Sequence, residues 1–213
     1  MRSRSVPFPF PLSPFSLPLE ISLRRFGPAT LLLLVACGSG RARPSTTPDG
    51  EGKARDVPLD QLYVLEMRGV PPEDTSATFA TGALRKIILR HGPPDNTVFV
   101  ELTFPADAFP DTTAAESVTV TVHPRPGIYG VDVTTNLKPQ KGSTIRFKYP
   151  VHFSAPLAGI TRYGSDLRFE RALSVAMLKE ARIFTLLPST RPASDNLDAP
   201  LAGSGTYLVA APR

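Results

Sequence analysis

The residues of this chain able to do chemistry are three histidines, one cysteine and a few serine- and aspartate-bearing turns. His91, His123 and His152 share no helical i, i+4 spacing and no short strand spacing, which are the patterns that converge on zinc. His123 and His152 fall on the outward side of expected strands, and His91 opens a loop, so all three are expected as solvated imidazoles. No Gly-x-Ser-x-Gly elbow occurs; Gly164-Ser165-Asp166 and Gly203-Ser204-Gly205 read as turns. Ser194-Asp195-Asn196-Leu197-Asp198 offers oxygen ligands but lacks the density of a calcium loop, and it reads as a capped turn. Asp107, Asp111 and Glu116 read as solvated loop acids, and no glycine-rich phosphate cradle links a strand to a helix. Tryptophan is absent, so an aromatic sugar platform would need Tyr or Phe. Phe99, expected outward among polar neighbours, is the aromatic to watch; facing a second sheet is its other reading. No catalytic residue, metal site or cofactor is assigned. Triad members need not be neighbours in sequence, however. A secreted or anchored hydrolase with a His-containing site assembled by the fold therefore stands as the alternative reading.

Cys37 is the single cysteine. Arg24-Arg25 precedes it, then the apolar run from Ala29 to Ala36, broken only by Thr30; Gly38-Ser39-Gly40 follows. A basic region, a short apolar region and small residues at a cut site, in that order, form a secretory signal. The run is too short to span the ~30 Å hydrocarbon layer as a helix. Leu34-Val35-Ala36-Cys37 resembles the lipobox of bacterial lipoproteins. That resemblance implies a diacylglycerol on the Cys37 sulfur, cleavage of the leader before it, and acylation of the new amino terminus. The partner would then be a membrane, reached through lipid on Cys37. Each buried CH₂ contributes about 0.8 kcal/mol, and stable anchoring takes two or more chains. An incidental cysteine in an ordinary secretory leader, or a buried structural thiol, are the other uses of Cys37. Gly38, not Asp, follows the cysteine; by likeness to proteobacterial lipoproteins this implies the outer membrane in an organism that has one. Residues 1–22 carry Pro7, Pro9, Pro11, Pro14 and Pro18, which forbid a helix, and a leader starting at Leu23 on an alternative start codon would be more compact.

The chain carries +5, and residues 1–36 account for +3 of it through four arginines and Glu20, leaving +2 for residues 37–213. That near balance argues against nucleic acid, which needs a clustered basic face. Residues 38–57, GSGRARPSTTPDGEGKARDV, have almost nothing to bury and are expected to form a disordered tether. Residues 58–213 are one domain's length.

Period two dominates that domain. Val118, Val120 and Val122 alternate with Thr119, Thr121 and His123. Val98, Val100, Leu102 and Phe104 alternate with Phe99, Glu101 and Thr103. Ile145, Phe147, Tyr149, Val151 and Phe153 alternate with Arg146, Lys148, Pro150 and His152, with Pro150 marking an edge or bulge. GVDV, LYVLEM, ALRKIIL and a closing GTYLVAA are further strands, with turns at HGPPDN, PRPG and NLKPQKG. Residues 166–187 hold many helix formers, but β context favours a hairpin of ALSVAML and RIFTLL turning near Lys179-Glu180-Ala181. The expectation is an all-β sandwich of seven to nine strands.

From residue 98 onward the order of elements resembles the immunoglobulin-like sandwich of ankyrins and netrin receptors, the ZU domain, also found in bacterial surface lipoproteins. The residues concerned are Phe104 to Phe109, Val118 to His123, Pro126 to Val131, the Leu137-Lys138-Pro139 loop, Ile145 to Phe153, Leu187 to Thr190, Asp195-Asn196 and Gly205 to Val209. The strand opening Lys141-Gly142-Ser143-Thr144-Ile145 departs from the family's usual Lys-Pro-Val. The resemblance implies a non-catalytic, partner-binding or spacer sandwich; with the leader placing it in the bacterial cell envelope, the expected partner is an unidentified envelope protein or glycan. It carries over no functional residue. A small-ligand carrier between the sheets is a third option.

Overall fold

In a computed structural model of the chain the described residues are 53–109, 117–140, 142–149 and 153–213. Cys37, the leader, Asp111, Glu116, Pro150 and His152 lie outside them, as does the tether up to residue 52. Among the described residues there are fourteen strand segments and two short helices. The strand count exceeds the seven to nine expected because several segments are only two to four residues long. The first strand, β1 (Arg55–Pro58), lies partly within the stretch expected as tether. A single turn of 3-10 helix, Leu59–Gln61, leads to β2 (Leu62–Val64) and β3 (Glu66–Met67). Then come β4 (Thr75–Ala80), β5 (Arg85–Arg90), β6 (Val98–Phe104), β7 (Ser117–Pro124), β8 (Gly130–Thr135), β9 (Thr144–Lys148) and β10 (Phe153–Ser154). Helices α1 (Leu157–Tyr163) and α2 (Asp166–Ala172) precede β11 (Ser174–Glu180), β12 (Ile183–Leu186), β13 (Asn196–Pro200) and β14 (Gly205–Pro212).

All pairings are antiparallel. The larger sheet runs β1-β12-β11-β14-β8-β7-β4, with β2 also beside β14; the smaller runs β13-β9-β6-β5. The inner faces share one core. Val118, Val120 and Val122 of β7 and Val131 and Val133 of β8 supply one side; Val100, Leu102, Phe104, Ile145, Phe147 and Leu197 supply the other. Phe79 of β4 meets Phe104 of β6 with ring centroids 5.8 Å apart, so the two sheets are in direct contact. This is an all-β sandwich. At roughly 1.5–3 kcal/mol per fully buried aliphatic or aromatic side chain, this shared core is the main stabilising layer.

Strand β14 is buried on both sides. Tyr207, Val209 and Ala211 face the main core, and Leu208 and Ala210 face a second cluster with Val57, Leu62, Ala176, Phe184 and Leu186. The segment from β1 to β2 spans from the flank of β12 to the flank of β14, bringing Val57, Leu59, Leu62 and Val64 to that second cluster. GTYLVAA was expected only as a closing strand; it occupies the interior of the larger sheet, between β11 on one side and β8 and β2 on the other.

Residues 166–187 divide where propensity and period divide. Asp166–Ala172 is helical, with the Ser165 side chain accepting from the Arg168 N–H as an N-cap. The hairpin follows, as β11 and β12. Phe169 of α2 is buried against Tyr63 and Tyr163. Gly159 of α1 lets the helices close: a Cβ there would stand 2.8 Å from Cε2 of Phe169. The expected long strand through 145–153 is two pieces. Strand β9 stays in the smaller sheet, while β10 pairs with β3.

Two further expectations, for Phe99 and His91, fail for one physical reason each. Phe99 is buried in the core between the sheets, its other reading, and not outward in solvent. Leu89 pairs with Val100 and Arg90 with Val98, so Phe99 is the extra residue of a β-bulge. The bulge resets the alternation, and both Phe99 and Val100 enter the core. His91 is 3 % exposed, not solvated. Its ring meets Phe99 edge-on at 5.3 Å, and its Nδ1 lies 3.1 Å from the Val70 carbonyl. The chain around Val70 covers it; a Cβ on Gly92 would lie 2.8 Å from Cγ1 of Val70.

Candidate functional site

The two histidines among the described residues, His91 and His123, do not converge. His91 sits in the core at the end of β5, while His123 projects from the outer face of β7 with Nδ1 2.8 Å from a carboxylate oxygen of Asp74. Among the described residues no group of three His, Cys, Asp or Glu is placed to hold a metal ion. Ser165 caps α2, and the Ser204 hydroxyl accepts from the Thr135 N–H at 2.9 Å. Both serines do the work of turns. Asp107 is exposed.

The Ser194–Asp198 stretch is partly strand, which its length and Pro200 concealed. Asp198 of β13 stands opposite Arg146 of β9, and Arg146 opposite Glu101 of β6. The Arg146 guanidinium donates from Nε and Nη2 to the two Asp198 carboxylate oxygens at 2.7 and 2.6 Å. Lys86 of β5 donates to Glu101 Oε1 at 2.8 Å. Alternating charge thus crosses the outer face of the smaller sheet. Lys86 holds the Glu101 carboxyl below the usual carboxylate range, against the opposing effect of burial. Asp198 keeps the Arg146 guanidinium protonated even more firmly than usual. Charges bound to one another in this way brace a sheet.

A polar corner lies at the end of α2. Arg191 Nη2 donates to the carbonyls of Leu173 and of Glu170, the latter also accepting from the Leu173 N–H, and so ties down the end of the helix. The Tyr149 hydroxyl donates to the Ser194 carbonyl at 3.5 Å. Burial pushes the Tyr149 phenol up, the Glu170 charge adds to the shift, and Arg191 opposes it. The Tyr207 phenol is pushed up to about 12 by burial, and it ties the turn before β14 by accepting from Ala202 N–H and donating to the Gly203 carbonyl.

The outer face of the larger sheet, over β4, β7 and β8, is lined with hydroxyls. Ser76 and Thr121 lie 3.1 Å apart, and Thr78 and Thr119 2.9 Å apart, each a cross-strand pair. Arg125 donates to both oxygens of Asp132 at 3.0 Å, and Thr206 also donates to Asp132. Sequence reading missed this surface because β4, TSATFA, lacks the Val and Ile content that marked β7. Its one signal was Ser76 and Thr78 two residues apart, matching Thr119 and Thr121.

Comparison with known proteins finds no matching family model, no matching curated protein and no matching solved structure.

Proposed function

We propose that this chain is a bacterial cell-envelope lipoprotein, held at a membrane by acyl chains on Cys37. Its β-sandwich is a non-catalytic binding or structural module for an envelope protein or glycan. The observation that carries the reading is the order Arg24-Arg25, the apolar run Ala29 to Ala36, then Cys37 and a polar stretch. A sandwich whose ionisable pairs are tied to one another, such as Arg146 with Asp198 and Lys86 with Glu101, supports the non-catalytic half. The sandwich type proposed is the ZU-like one, on the motifs from Phe104 to Val209, and the location proposed is the outer membrane where the organism has one. Growth with labelled palmitate tests the anchor. Wild-type protein is expected to take up label and Cys37→Ser to take up none. An unlabelled wild type, or equal labelling of the variant, refutes it.

A further inference from the structure

Apart from the three-residue β2 beside β14, the two sheets end on four strands, and an end strand presents a row of unpaired backbone donors and acceptors that recruits another strand unless something blocks it. Three of the four are blocked. β1 is four residues long and carries Arg55, Asp56 and Pro58. β5 carries Arg85, Lys86 and Arg90, and its pairing with β6 is interrupted by the bulge. β13 carries Asp198 and ends on Pro200, and Thr190 bridges to Asp198. β4 differs in every respect. Its six residues, Thr75–Ala80, include no charge and no proline. Its register with β7 runs through six consecutive pairs without a shift. Among the described residues no strand pairs with its other side.

We infer that the β4 edge is an interface for a second copy of this chain, joined by antiparallel β4–β4 pairing into one continuous sheet. The choice of occupant rests on self-complementarity. An isologous pairing must oppose residues of like face. Centred on Ala77, it sets Ser76 of each copy opposite Thr78 of the other, both on the outer face. The hydroxyl pairs already formed, Ser76 with Thr121 and Thr78 with Thr119, then extend into rows of four across the junction. On the inner face Thr75 of each copy meets Phe79 of the other, whose ring carries the Arg85 guanidinium 5.4 Å from its centroid; on the outer face Asp74, beside His123, lies opposite Ala80, so no like charges oppose along the paired strands. An acidic or basic peptide would find no complementary charge on this strand. The inference does not depend on the lipid anchor.

Sedimentation equilibrium of the full chain carrying Cys37→Ser tests it. The expected result is a reversible monomer–dimer equilibrium. Ser76→Lys with Thr78→Lys places lysines opposite one another across the junction, at exposed positions that leave the monomer core untouched. Facing like charges are expected to raise the dimer dissociation constant by about tenfold or more. Ala77→Cys, as the single thiol at the two-fold axis, is expected to oxidise to a covalent dimer. Directly opposed Cα atoms stand about 4.5–5.5 Å apart, within disulfide reach. A chain that stays monomeric at every concentration overturns the inference. So does a dimer that the double lysine variant, still folded by circular dichroism, leaves equally tight, or one that Ala77→Cys fails to cross-link.

Discussion

Phe99→Ala separates the bulged strand from the regular one. In an uninterrupted period-two strand Phe99 would face solvent, and its truncation would change stability by less than about 0.5 kcal/mol. In the fold it is fully buried. Its ring lies 5.3 Å from Tyr129, 6.1 Å from Phe147 and 5.3 Å from His91, with the last two contacts edge-on. Removing such a ring forfeits its transfer free energy and leaves a cavity lined by three other rings, which cost about 3–5 kcal/mol together. Aromatic pairing contributes about 0.5–1.5 kcal/mol per contact beyond area, so the upper half of that range is expected. Equilibrium urea unfolding should show the midpoint falling with an unchanged slope. The thermal midpoint should fall by about 6–20 °C for a domain of this size. Phe99→Leu, which refills part of the volume, should recover most of the loss. A Phe99→Ala variant within about 1 kcal/mol of wild type would refute the bulge, because no residue at this burial is removed so cheaply.

Gly159→Ala should destabilise the domain, although the same change inside an exposed helix stabilises by about 1 kcal/mol; the new methyl would strike the buried ring of Phe169, and chemical unfolding reads the sign. Glu101 has a folded-state pKa below its unfolded value of about 4.3. Its contribution is therefore present above that value and lost as pH falls through the lower folded pKa. Glu101→Gln should accordingly flatten the acid limb of a stability–pH profile and leave its alkaline limb unchanged.

The sandwich was legible wherever a strand bears β-branched residues on one face only. Val118, Val120 and Val122 announce β7 because Thr119, Thr121 and His123 alternate with them, and all three valines are fully buried. Local pattern fails where the backbone count changes. The inserted residue at Phe99 cannot be seen without β5 beside it, since a bulge is a property of a pair. The burial of His91 escapes local pattern for a related reason: its cover, the chain around Val70, comes from a segment distant in sequence. Asp198 reads as a turn residue because Asp and Asn favour capped turns; its pairing with Arg146 exists only in the register of β13 on β9. The helix at Asp166–Ala172 is visible as propensity, and the β context governs only the residues after it. The hydroxyl face had the weakest signature of all, since serine and threonine pairs on adjacent strands look like any solvated surface until the strands are aligned.

The placement of β14 bears on how the domain comes into being. Strands β11, β8 and β2 all lie against Gly205–Pro212. A chain interrupted anywhere upstream of Gly205 therefore loses the shared neighbour of three strands at once and strips two hydrophobic clusters of their common wall. Truncation at that point is expected to abolish folding rather than trim it, and during synthesis the earlier strands must wait, unassembled, for those eight residues to arrive.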